Sequence, residues 1–104
     1  MVGHTADLKA AVKACEAVDN CLGQVVKAVQ DKKGVVLITA DHGNCENMTK
    51  NWCSSHTLSP VPFIVVGKKC RLRKSGTLAD IAPTMLKILN IKKPKEMNGK
   101  SLIV

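Results

Sequence analysis

Ten consecutive residues, Val35-Val36-Leu37-Ile38-Thr39-Ala40-Asp41-His42-Gly43-Asn44, constrain this chain more than any other stretch. A run of β-branched and aliphatic residues after Gly34 suits a strand buried on both faces, as in a parallel sheet covered by helices. The run stops at a carboxylate and an imidazole side by side. In open α/β sheets ligands bind outside the carboxyl ends of the strands, and both residue types bind metals. Asp-His-Gly-Asn is also a good turn sequence, because Gly takes φ > 0 without cost. Asp41 and His42 are therefore candidate ligands on position and chemistry together.

The flanking segments supply an α/β frame. Apolar residues at Leu8, Ala11, Val12, Cys15, Val18, Leu22, Val25, Val26 and Val29 make the stripe of an amphipathic helix over 8–32. Thr5 or Asp7 can cap its start, and Gly34 is the expected C-cap. Cys15 lies on the stripe and is expected to pack as core, with Cys21 flanking it. A strand over 35–40 follows at once. The segment 43–59 is longer than a mere connection and carries His56. Residues 60–67 read as a second strand whose start Pro60 and Pro62 restrict to an edge or entry position. A basic surface turn or hairpin is expected over 68–75. A second helix is expected over 78–89, with Asp80 as N-cap and Pro83 in the first turn. Asn98-Gly99 marks a turn, and Ser101-Leu102-Ile103-Val104 an apolar tail that adds a short strand or tucks under the sheet. The segment Met1-Val2-Gly3-His4-Thr5 has no lead-in, and two buried strands do not make a stable sheet. The chain thus reads as one partial domain over 1–104, a piece of a larger α/β domain.

Composition narrows the function classes. The 104 residues are 45% hydrophobic, enough for one modest core. Net charge is +8, and a balance of that sign suggests nucleic acid or an anionic small molecule as partner. The aromatic platforms of single-strand binders are missing, since Trp52 and Phe63 are the only aromatic residues. The basic cluster is Lys68, Lys69, Arg71, Arg73 and Lys74. The five cysteines are odd in number and form no C-x-x-C pair, which argues against a disulfide framework or a zinc ribbon. No apolar run approaches the ~20 residues that span a bilayer. A soluble, reduced and cytoplasmic protein is expected.

The residues able to do strong chemistry, His4, Asp41, His42 and His56, all fall at segment ends or in the long loop. Histidine with carboxylate suits Mn²⁺, Zn²⁺ and similar ions. Five motifs stand in register around them: Val-Gly-His-Thr at 2–5, Thr-Ala-Asp-His-Gly-Asn at 39–44, Ser-His-Thr at 55–57, Pro-Val-Pro-Phe at 60–63 and Leu-Ala-Asp-Ile-Ala-Pro-Thr at 78–84. On these motifs the chain closely resembles the C-terminal part of cofactor-independent phosphoglycerate mutases, members of the alkaline phosphatase superfamily. The resemblance covers essentially the whole chain. It implies part of an alkaline-phosphatase-like three-layer α/β/α domain with a mainly parallel sheet, incomplete here.

The resemblance also implies a chemistry. In that family the phosphoryl group of 3-phosphoglycerate moves to a serine and returns to the other hydroxyl as 2-phosphoglycerate, without 2,3-bisphosphoglycerate as cofactor. It implies two divalent ions, Mn²⁺ foremost with Co²⁺, Mg²⁺ or Zn²⁺ as alternatives. Asp41 and His42 would bind the ion that also holds the serine, and His4 and His56 the second. A ligand aspartate expected just before residue 1, the serine with its aspartate, and the inserted substrate-binding domain have no counterpart in the 104 residues. A fragment inactive alone, prone to self-association, is therefore expected. Two other readings compete. One is another phosphatase or phosphopentomutase of the same superfamily. The other is a small zinc-binding module built from His42, Cys45, Cys53 and His56, with a basic nucleic-acid binder at 68–74 behind it.

Overall fold

The computed structural model describes residues 7–46 and 56–104. Two compact units divide the chain, 1–68 and 69–104.

The first unit opens with helix α1, Leu8–Asp31. Asp7 caps it, its carboxylate accepting from the Ala10 amide at 3.1 Å. That bond satisfies one of the free N–H groups of the first turn. The far end departs from expectation. The C-cap is Lys32, and the left-handed residue is Lys33, with φ of 57°, rather than Gly34. Lys33 N–H donates to Gln30 O at 2.9 Å and Gly34 N–H to Val29 O at 2.9 Å. This pair of bonds is a Schellman closure, in which the residue after the left-handed one reaches back furthest. Gly34 is needed for space, since a Cβ there would lie 2.6 Å from Val29 Cγ1.

The stripe of α1 is present but only partly covered. Ala11 is buried and Leu22, Val26 and Val29 are half-buried, while Leu8, Val12, Val18 and Val25 are exposed. Cys15, expected in a core, is exposed as well. The reason lies in the sheet, which among the described residues has two short strands. Strand β1 is Val36–Ile38 and strand β2 is Ile64–Val66. Both are shorter than the apolar runs that contain them. Pro60 and Pro62 stay outside β2, as their missing amides require.

The two strands pair antiparallel, with Val36 opposite Val66 and Ile38 opposite Ile64. A parallel arrangement had been expected. Parallel neighbours need a crossover connection, commonly a helix. Here the chain instead folds back on itself, and an antiparallel bridge between Gly43 and Thr57 extends the ribbon beyond the strands. Thr57 N–H donates to Gly43 O at 2.8 Å across it.

The second unit is organised by one carboxylate. A 3₁₀ turn, Leu78–Asp80, leads directly into helix α2, Ile81–Ile88. Asp80 stands at the N-cap position of α2 but makes no capping bond to that helix. Instead its oxygens accept from the Thr77 and Lys100 amides, each at 2.9 Å, and face Arg73 Nη2 at 3.2 Å. Those partners, Lys100 N–H first, hold its carboxyl below the ordinary carboxylate range. Thr84, fully buried, donates from Oγ1 to Asp80 O at 2.6 Å and accepts from Leu102 N–H at 2.8 Å. Arg73 donates to the Ser101 and Lys100 carbonyls at 3.1 and 2.9 Å. The apolar tail is thereby fixed as an edge. Ile103 bridges Leu72 antiparallel and Leu102 is buried. Helix α2 ends as α1 does, with Asn90 at φ 57° and Ile91 N–H donating to Leu86 O at 2.9 Å.

Candidate metal centre

β1 ends three residues before Asp41, so the carboxylate–imidazole pair Asp41–His42 lies just past the end of the strand. The bridge between Gly43 and Thr57 brings His56 against His42. The two rings stack with centroids 3.6 Å apart and planes 11° from parallel. Tertiary pairing thus brings together residues fourteen positions apart in sequence. His4 lies outside the described residues, as does Cys53.

His42 Nδ1 lies 2.9 Å from the Gly43 carbonyl oxygen. A carbonyl only accepts, so Nδ1 carries the proton and donates. In the neutral ring that leaves the lone pair on Nε2. A backbone carbonyl fixing the tautomer in this way is the usual support behind a metal-binding histidine. Nε2 faces Asp41 Oδ1 at 3.5 Å. Two ligands at 2.0–2.2 Å from one tetrahedral ion are roughly 3.4 Å apart. The pair is therefore spaced for a shared divalent cation, or for a proton when the ring is charged. Asp41 is largely exposed and His42 about one-third exposed, so an ion has access from solvent. The donor set fits a divalent metal as one half of a shell. Among the described residues, no three His, Cys, Asp or Glu side chains converge on one point. His56 lies flat against the face of the His42 ring.

Glu46, which the sequence reading passed over, holds this geometry. One carboxylate oxygen accepts from Asn44 N–H at 2.6 Å, and the other accepts from the Thr57 hydroxyl. The bond from Thr57 is the main cause that lowers the Glu46 pKa to about 2. The carboxylate so ties the turn after His42 to the residue after His56. A Cβ at Gly43 would overlap both Thr57 Oγ1 and Glu46 Oε1, so only glycine fits between the histidine and its clamp. The only signal in the sequence was a carboxylate two residues past Asn44, a spacing too common to single out.

Cys45 is placed poorly for a zinc module. Its thiol donates to Asn44 Oδ1 at 3.4 Å. Local desolvation of the sulfur, and after it the neighbouring Cys15 thiol, push its pKa above the ordinary value. That disfavours thiolate, the form that binds metal.

A carboxylate and a tautomer-fixed imidazole just past the end of a strand are a candidate pair of metal ligands. The sequence model of the metalloenzyme superfamily matches residues 1–93, and the chain belongs to that superfamily. Its similarity to particular proteins is closer still. It is 56% identical over 108 aligned residues to the 2,3-bisphosphoglycerate-independent phosphoglycerate mutase of Acetivibrio thermocellus, covering 100% of this chain and 21% of the relative. The mutases of Clostridium kluyveri and Pseudomonas entomophila are each 54% identical, covering 99% and 100% of this chain and 21% of the relative. The chain therefore spans about a fifth of the length of these relatives.

Proposed function

We propose that this chain is the C-terminal, metal-ligating portion of a phosphoglycerate mutase that interconverts 3- and 2-phosphoglycerate through a phosphoserine. The observation that carries the reading is the Asp41–His42 pair, 3.5 Å apart with the imidazole tautomer set by Gly43, in a member of the metalloenzyme superfamily. Asp41 and His42 hold one ion, and His56 with His4 the second. Ions of two-metal sites stand about 3.5–4 Å apart, and parallel rings at 3.6 Å offer nitrogen donors at that spacing. Bound there, the ions would lower the pKa of the serine and neutralise charge on the transferring phosphoryl group.

The chain's own residues do the positioning. Gly43 O keeps the His42 proton on Nδ1, and Glu46 with Thr57 keeps the two imidazoles side by side. The serine, its aspartate and the substrate-binding domain belong to the rest of the protein. We propose that the 104 residues alone have no mutase activity.

Calorimetric titration with Mn²⁺ and Zn²⁺ under reducing conditions tests the site. Weak binding that His42→Ala abolishes is the expected result. Tight one-to-one zinc binding that survives His4→Ala and is lost in Cys45→Ser or Cys53→Ser would overturn it in favour of a self-sufficient zinc module.

A further inference from the structure

The positive charge of this protein is not evenly spread. Residues 69–104 hold nine lysines and arginines against Asp80 and Glu96, a net charge of +7, whereas residues 1–68 hold seven against six, a net of +1. Asp80 is already committed to Arg73. Within the second unit, Lys87, Lys92, Lys93 and Lys100 line a single open cleft of about 550 Å³, together with Pro83 and Ile91. Among the described residues the ion pairs Lys27–Asp31, His42–Asp41 and Arg73–Asp80 involve none of these four ammonium groups.

Two of the four are held in place. Lys93 Nζ donates to Gly99 O at 2.7 Å and Lys87 Nζ to Ile103 O at 3.4 Å. An ammonium has three donors, so each keeps two for a ligand. Four like charges around one hollow repel each other, and a multiply charged anion relieves that repulsion while adding its own attraction. Lysine serves as a point-charge phosphate binder. The cleft is in the ~300–1,000 Å³ range of small-molecule sites. The apolar side chains of Pro83 and Ile91 in its lining suit a short carbon skeleton between charged groups.

We propose that this cleft is a binding site for a small, multiply charged phosphate compound, separate from the Asp41–His42 centre. The inference does not depend on the mutase reading, since no residue of the metal centre takes part.

The test is a titration of the ¹⁵N-labelled 104-residue chain with inorganic tripolyphosphate, followed by amide shifts. Saturable shifts confined to residues 83–101 are expected. Lys92→Gln/Lys100→Gln should weaken binding at least tenfold, and Arg71→Gln/Lys74→Gln should leave it within twofold. All four side chains are exposed, so the variants should retain the wild-type amide pattern. Equal weakening by both pairs would overturn the proposal, because binding would then follow net charge alone. Tighter binding of a single-stranded DNA oligomer, with shifts running through 68–74, would assign the surface to nucleic acid instead.

Discussion

Glu46 shows how far one side chain sets the geometry around His42 and His56. Its folded pKa of about 2 lies below the ordinary 4.5, so the folded state favours the carboxylate. A depressed carboxylate pKa contributes stability that is complete above the ordinary value and is lost as pH falls through the folded one. Thermal melts should therefore show stability falling between about pH 5 and about pH 2, with Asp80 acting in the same direction. Glu46→Gln should flatten part of that decline, and an unchanged profile would count against the clamp. Thr84 offers a second test. Thr84→Val keeps the shape but leaves the Leu102 amide without its acceptor, at a cost of roughly 1–3 kcal/mol. Urea denaturation would measure it, and a change below a few tenths would mean that water replaces the hydroxyl. Neither Glu46 nor Thr84 could be singled out from the sequence, because their partners, Thr57 and Leu102, are distant in the chain.

At the scale of elements, both helices end in the same closure, with Lys33 and Asn90 left-handed. Asparagine tolerates that region and lysine does so at a cost. Lys33→Gly should accordingly stabilise the chain by up to about 1 kcal/mol, read as a raised midpoint in urea. A loss of stability would show that the lysine side chain contributes more than its backbone costs. The position of α1 was legible in its stripe and in Asp7, because capping and amphipathic spacing are local properties. The closing residue was not, because Gly34 is required by its contact with Val29 while Lys33 takes the left-handed conformation. The strands were legible as apolar runs. Their direction was not, since hydrophobic composition is the same whichever way a neighbour runs.

For the molecule as a whole, the uncovered part of the α1 stripe is the leading feature. Leu8, Val12, Val18 and Val25 are each about half exposed or more, and both strands have an unpaired edge within the described sheet. Apolar patches and open edges recruit partners. We propose that the chain self-associates, so its sedimentation coefficient should rise with concentration. Val12→Lys/Val25→Lys should suppress the rise. A constant coefficient across a hundredfold range would refute it. No described helix is long and apolar enough to cross a membrane.

What the sequence determined by itself is whatever depends on near neighbours. The helix stripe, the proline-limited strand and the Asp41–His42 pair at a strand end all follow from spacing and residue type. The five-motif resemblance placed the chain among metal-dependent enzymes, and the superfamily match agrees. Only the tertiary structure decided that β1 and β2 run antiparallel, that His56 stacks on His42, and that Asp80 binds Thr77, Lys100 and Arg73. It also decided that lysines scattered over 87–100 share one cleft. The physical reason is common to all four. Each depends on which residues are returned to one place in the fold, and that leaves little trace in local periodicity.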